Sequence, residues 1–527
     1  MKKLSTLLLA FFLVSMLIAF KRNDNSPLPV NVKTEDGLVS GVKSSTGDVV
    51  SFKGIPFAAP PIGNLRWKAP QPAIHWEGVR KCDAFGPSPM QPEPKPFFVW
   101  TNEFLIPEAP ISEDCLYLNV WTKTAGTRKK PVLVWIYGGG FGTGGAGVPI
   151  YDGEAMARKD VVLVTFNYRV GVFGFFAHPD LSKESMVHSS GNYGLMDQIA
   201  ALKWVKKNIA EFGGDPDNVT IAGQSAGSMS VNCLVASPKA KGLFQQAIAE
   251  SGSMMISNQN KKMIDLNTAE AQGVAAAKGA EVTSLQDLRA LSSQQLLEKV
   301  KGQFGPIADM YNILPEPVYQ IFAEKKENKI PVIIGWNADE GIVPNPKNKD
   351  DYIKQLRVDY GTQANDILKY YPAGTDEEAA SSQVQLNRDV TFALSGYQWA
   401  KLQSSRNTKP VYVYNFTRRP PAEGEYIKYK SFHTAEVAYA LDDLKFLDRP
   451  WQPVDRQLSK TMADYWVNFA RNGNPNGKGL PQWPQFNEKT NEVIVLGDKI
   501  TAQTILDKQR LDFMLKLLNR TLEEMKP

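Results

Sequence analysis

Val219-Thr220-Ile221-Ala222-Gly223-Gln224-Ser225-Ala226-Gly227 carries a short apolar, β-branched run straight into a Gly-x-Ser-x-Gly turn, and a stretch of small residues comes next. A run of this kind reads as a strand buried on both faces. The pentapeptide between a buried strand and a helix is the context of a nucleophile elbow, in which serine sits on a sharp turn with its hydroxyl pointing out of the sheet. Only glycine fits on either side, because a larger side chain would strike neighbouring backbone. The plain alternative is a tight strand-to-helix turn without chemistry.

Similar strands lie on either side. Val132 to Tyr137 and Val161 to Phe166 are apolar almost throughout, each followed by Gly-rich or turn residues, and Gln246 to Ala249, Val332 to Ile334 and Val411 to Tyr414 continue the series. Asp197 to Ile209 has helical spacing through Ile199, Leu202, Val205 and Ile209. Strands alternating with helices predict an α/β fold with a large, mostly parallel central sheet flanked by helices. Val30 to Lys53 reads as antiparallel hairpins. Two helical insertions, Asn258 to Lys329 and Tyr352 to Leu402, are expected to cap one end of the sheet and shape a pocket. The Pro-rich stretch Pro87 to Pro110, with Phe97, Phe98 and Trp100, reads as an ordered surface loop beside it. With no internal repeat or clear linker, residues 23–527 are expected to form one large domain.

The chain has 527 residues, of which 43% are hydrophobic and 22% charged, enough apolar content for a large core and unlike a disordered polypeptide. Lys2, Lys3, Lys21 and Arg22 account for most of the formal charge of +5. Without them acids and bases nearly balance, which gives no electrostatic reason to expect nucleic acid or an anionic membrane as partner. The two leading lysines and the apolar run Leu4 to Phe20 read as a secretory signal, so residues 1–22 are expected to direct export to a periplasmic or extracellular space. Seventeen helical residues rise about 26 Å against a hydrocarbon core of about 30 Å, so retention as a membrane anchor stays open, as does the cleavage position. Cys82, Cys115 and Cys233 are too few for a disulfide scaffold and lack the spacing of a zinc site. In an oxidising compartment Cys82 and Cys115 could close a loop of about 33 residues, worth about 3–4 kcal/mol by chain entropy. Cys233, in an apolar helical stretch, reads as a small buried hydrophobe.

A serine hydroxyl needs a neighbouring base to take its proton during attack. In folds with such an elbow the order along the chain is nucleophile, acid, histidine. Of the four histidines, His75, His178 and His188 precede Ser225, which leaves His433. The orienting carboxylate belongs after a strand between the two, where Asp339 and Glu340 follow Val332 to Ala338. Consecutive side chains diverge, so one of them serves; Glu340 is the choice and Asp339 the fallback. The oxyanion of the tetrahedral intermediate needs preorganised donors. Tyr137-Gly138-Gly139-Gly140-Phe141-Gly142 offers amides unshielded by side chains, and Ala226 adds the amide that succeeds the nucleophile. A phosphate cradle is the rival reading of these glycines, but no Gly-Lys-Ser/Thr or dinucleotide fingerprint accompanies them.

With these pieces assembled, the chain resembles the type-B carboxylesterase and cholinesterase family of α/β-hydrolases, including the bacterial para-nitrobenzyl-type carboxylesterases. Phe52 to Ala58, Ser112 to Asn119, Tyr137 to Phe141, Asn167-Tyr168-Arg169, Gly191 to Gln198, Gly213 to Pro216 and the Ser225 pentapeptide carry the likeness. The resemblance implies a Ser225, Glu340, His433 triad, oxyanion donors at Gly139, Gly140 and Ala226, and no metal or organic cofactor. It also implies an ion pair of Arg66 with Glu113 and a second serine, Ser251, near the triad. Two departures matter. Pro89 stands where relatives often have the cysteine partner of Cys115, which would leave Cys82 as substitute. Gln224 stands before the nucleophile where cholinesterases have an acid, which favours a general carboxylesterase over a choline esterase. A lipase, thioesterase or polysaccharide deacylase on the same triad is the first alternative, and a non-catalytic extracellular binding or adhesion scaffold the second. The expected substrate is a small-molecule ester; nothing in the spacing speaks to oligomeric state.

Overall fold

The apolar runs pair with one another. In the computed structural model, which describes residues 30–523 apart from 108–109, 125–128, 257–262, 283 and 407–408, the main sheet has eleven strands. They are β1 (Val42–Lys43), β2 (Val49–Pro56), β3 (Tyr117–Lys123), β4 (Lys130–Ile136), β5 (Val162–Phe166), β6 (Gly214–Gln224), β7 (Gln246–Glu250), β8 (Val332–Asn337), β9 (Val411–Phe416), β10 (Glu492–Leu496) and β11 (Thr501–Thr504). Their spatial order is β11-β10-β9-β8-β7-β6-β4-β5-β3-β2-β1. Every neighbour from β10 across to β5 is parallel, while β5–β3, β3–β2, β2–β1 and β10–β11 are antiparallel. The expected α/β architecture with a mostly parallel sheet is therefore present, with antiparallel strands closing both edges. Every residue of β4, β5, β7 and β8 is buried, which is why these runs lack the alternation of a one-faced strand.

The covering helices include α1 (Tyr193–Asn208), α2 (Ala226–Ala236), α3 (Leu266–Gly279), α4 (Leu285–Ala290), α5 (Asp376–Arg388), α6 (Leu394–Arg406) and α7 (Pro453–Asn472). Of these, α3 and α4 belong to the segment between β7 and β8. Between β8 and β9, α5 and α6 are joined by a π-helical turn, Asp389–Ala393. The inserted helices form where expected, although the stretch from 258 to 262 lies outside the described residues.

One expectation needs correction, and one alternative that the sequence leaves open is decided. The Pro-rich stretch is not simply a surface loop, since it sends Val99, Phe104 and Ile106 into the core. The cysteine pair is not bonded: Cys82, Cys115 and Cys233 are all buried free thiols, and burial lifts the Cys82 thiol to about 11 and raises the other two well above the usual thiol range. The signal or anchor assigned to residues 1–22 lies outside the described residues. Among those described, no helix is long and apolar enough to cross a membrane.

Candidate active site

Ser225 caps the end of β6 with φ of +57° and ψ of −124°, a conformation that costs a non-glycine residue about 1–3 kcal/mol. The surrounding packing enforces it. A Cβ added at Gly223 would come within 2.6 Å of the Ile136 carbonyl oxygen, and one at Gly227 within 2.0 Å of the same atom. Glycine is therefore required on both sides of the serine, as the pentapeptide predicts. The Ser225 amide donates to the Glu250 carbonyl at 2.9 Å, and its own carbonyl accepts from Met229 as α2 begins. Beside this turn, the loop after β4 takes positive φ at Gly139 (+112°) and Gly140 (+61°). A Cβ on Gly138 would lie 3.0 Å from that of Ser225, so loop and elbow are in contact. None of the Gly139, Gly140 and Ala226 amides is taken by a protein acceptor among the described residues; Ala226 is the first residue of α2, where the amides have no partner within the helix.

His433 and Glu340 come together after β9 and β8. The imidazole Nδ1 lies 2.8 Å from Glu340 Oε2, and the two side chains are 3% and 0% exposed. The other Glu340 oxygen accepts the Asn337 amide at 2.8 Å, which fixes the carboxylate from behind. Asp339, the fallback, instead faces Arg419 at 4.0 Å and the Ser431 amide, away from the imidazole. Gln224 Nε2 lies 3.2 Å from His433 Nε2 and 3.4 Å from Nδ1. The residue before the nucleophile thus meets the histidine directly, whereas the Ser225 hydroxyl makes no hydrogen bond to it in this arrangement. Such contacts are often long before substrate binds.

The remaining histidines have other roles. His178 caps a short helix by accepting the Asp180 amide at 3.2 Å, and His75 is largely exposed beside Asp36. Arg66 and Glu113 form the expected buried pair, Nε to Oε2 at 2.7 Å and Nη2 to Oε1 at 2.5 Å. Spacing did not reveal what this pair is for. Arg66 Nη1 also donates to the carbonyls of Arg289 (3.0 Å) and Leu291 (2.8 Å), so the guanidinium holds the end of α4 against the body of the protein. Ser251, like Ser225, has positive φ (+55°), and its hydroxyl donates to Glu436 Oε1 at 3.2 Å.

Below the triad lies an acidic cluster that sequence reasoning missed. Glu436 also accepts from Asn337 Nδ2. Glu250 accepts from the Trp466 indole at 2.8 Å, and its second oxygen meets no donor among the described residues. Burial raises Glu250 to about 8. Burial, with the neighbouring Glu250 and Glu340 carboxylates adding to it, raises Glu436 well above the usual carboxylate range. The one sequence signal for Glu436 was its place three residues after His433. The described part of the cavity leading from Gly140 holds about 1030 Å³ and is walled largely by Phe141, Met229, Met254, Met263 and Phe304, with Asp265 its one carboxylate.

Known proteins match this chain along most of its length. It is 37% identical over 486 residues to the fumonisin B1 esterase of Sphingopyxis macrogoltabida, covering 89% of this chain and 86% of that protein. It is 35% identical over 500 residues to the para-nitrobenzyl esterase of Bacillus subtilis (strain 168), covering 90% and 96% respectively. Among solved structures, a PNB esterase superposes with a TM-score of 0.77 at 33% identity, covering 93% of this chain and 99% of that one. The family described as the carboxylesterase family matches residues 29–514. A strained serine between obligatory glycines, an open glycine loop and a carboxylate-bound histidine thus sit in a chain that belongs to the carboxylesterase family of α/β-hydrolases.

Proposed function

We propose that this chain hydrolyses carboxylic esters through an acyl-enzyme on Ser225. Family membership and esterase relatives at 35–37% identity support the ester-hydrolase reading. The observation that carries the residue assignment is the 2.8 Å bond between His433 and Glu340 beside the elbow serine. Ser225 Oγ attacks the ester carbonyl carbon as its proton passes to His433 Nε2, and the new oxyanion accepts hydrogen bonds from the Gly139, Gly140 and Ala226 amides. The bond to the alcohol oxygen breaks as His433 returns that proton to the leaving group. Water then attacks the acyl carbon with His433 again as base, and the acid departs while Ser225 regains its hydrogen. Glu340 holds the imidazole tautomer and stabilises the imidazolium.

Labelling with a fluorophosphonate and mapping the modified peptide tests this. The label should fall on Ser225, and Ser225→Ala should abolish both labelling and hydrolysis; label elsewhere, or activity in that variant, overturns the assignment. The Met- and Phe-lined cavity supports neutral esters with a bulky apolar part, since methionine walls adapt to varied shapes. A panel of acyl chain lengths separates this reading from a lipase, which aggregated substrate should activate. The charged and apolar leader supports export. Fractionation of the producing cells would test it, and full-length protein confined to the cytosol would refute it.

A further inference from the structure

Resting on the triad reading above, we propose that Phe392 is a positioning residue for the catalytic base, and that the π-helical turn which carries it exists to clamp the His433 ring between a phenyl face and the Gln224 amide. The Phe392 ring stacks on the imidazole with centroids 4.3 Å apart and planes 20° from parallel. Gln224 Nε2 stands nearly equidistant from both ring nitrogens, at 3.2 and 3.4 Å. A group in the ring plane at those distances would collide with the carbon between the nitrogens, so the amide lies over the ring. Phe392 covers one face, and the amide takes the other. A third contact comes from Trp100, whose ring meets the imidazole edge-on at 6.2 Å and 88° while its indole N–H donates to Thr434 Oγ1 at 2.9 Å. Thr434 has φ of +84°, an unusual conformation for a β-branched residue, immediately after the histidine.

The helix that delivers Phe392 is built against the acid as well as the base. A π turn inserts an extra residue into the helical repeat and rotates every later residue about the axis, and such turns recur at functional sites. Here its first residue, Asp389, accepts from Tyr371 Oη at 2.7 Å and from Arg388 Nε at 2.7 Å, which pins the irregular turn. Arg388 reaches on to the Ala338 carbonyl at 3.2 Å, two residues before Glu340. Past the acid, a Cβ on Gly341 would come within 2.0 Å of the Val384 carbonyl in α5. One helix therefore seats the loop of Glu340 and covers the ring that Glu340 must bond. Val390, Thr391 and Ser395 from the same helix line the substrate cavity, while the Phe392 ring is turned onto His433. An imidazole free to rotate about its bond to the backbone would lose both the carboxylate and the serine. Stacking restricts that rotation without taking up either nitrogen.

The test uses the full chain and a short ester that leaves most of the cavity empty. Phe392→Leu keeps apolar volume but removes the ring, and Phe392→Tyr restores the ring. Misplacement of a catalytic group by about 1 Å can cost about a hundredfold, so kcat for the Leu variant should fall between about tenfold and a hundredfold with KM nearly unchanged, and the Tyr variant should recover most of it. The far-downfield proton NMR signal of the imidazole N–H bonded to Glu340 should broaden or vanish in Phe392→Leu while circular dichroism and Tm stay close to the parent. If Phe392→Leu does not fold, Phe392→Met, which fills the space without a flat face, carries the same measurements. A folded Leu or Met variant with parental kcat and an intact downfield signal overturns the clamp. A parent chain whose hydrolysis survives Ser225→Ala overturns instead the triad reading beneath it.

Discussion

The carboxyl edge of the sheet and the inserted helices above it fix their residues by different physics. At the sheet edge the backbone decides: Ser225 and Ser251 hold positive φ because neighbouring strands leave the chain no other course, and glycines stand where a methyl group would overlap a carbonyl. In the insertions polar side chains decide. Arg66 grips two carbonyls at the end of α4, and Tyr371 and Arg388 pin the π turn at Asp389. A nucleophile set by sterics is held whatever the ligand. A helical layer set by individual hydrogen bonds can be altered one anchor at a time, which suits a region that shapes the pocket.

Three substitutions probe that division. Ser225→Ala should lower kcat about 10⁶-fold with fold and Tm unchanged, as judged by ester hydrolysis and calorimetry; a loss under a hundredfold would mean that the sheet edge is not the reaction centre. Glu340→Gln should keep the geometry but favour the wrong imidazole tautomer, at a cost of about 10⁴-fold in kcat. Arg66→Met should leave Glu113 as an uncompensated buried charge and cost about 3–5 kcal/mol in a denaturant titration. Because it releases the end of α4, it should also impair bulky esters more than short ones; equal impairment of both would break the distinction between anchored layer and rigid edge.

The smallest effect depends on pH. Glu250 is raised to about 8 in the folded protein from an ordinary value of 4.5, chiefly by burial. Below that ordinary value the carboxyl is protonated whether the chain is folded or not, and its contribution to stability is fully present. As pH rises the unfolded chain gives up this proton first, so stability falls, and the loss is complete once pH passes about 8. Glu250→Gln can keep the bond from Trp466 and removes the titration. Its unfolding free energy should decline less than the parent's between pH 6 and pH 9, by an amount on the order of a few kcal/mol. Identical slopes would show that the carboxyl is not the group responsible.

The parallel centre of the sheet was legible because strands covered on both faces leave unbroken apolar runs, and those strand ends supply the Ser225, Glu340 and His433 positions. The antiparallel edge was harder. In β3 the buried Asn119 interrupts the run, donating to Thr165 Oγ1 and accepting the Gly54 amide, so a polar residue that is satisfied inside the sheet hides a strand. β11, Thr-Ala-Gln-Thr, has no large apolar residue to mark it. Resemblance supplied the Arg66–Glu113 pair, but not its grip on α4, because carbonyl acceptors have no sequence signature. Phe392 was invisible for a related reason: its contact depends on one extra residue in a helical turn, which shifts every later side chain while leaving the hydrophobic pattern nearly the same.

The three unbonded thiols have a consequence for handling the protein. Because no covalent crosslink among them supports the fold, refolding from denaturant should need no oxidant or shuffling catalyst, and added dithiothreitol should leave the melting curve where it was. Their burial also keeps alkylating reagents out until the chain opens. The rate of iodoacetamide uptake therefore becomes a clock for unfolding that can be read without any substrate at all.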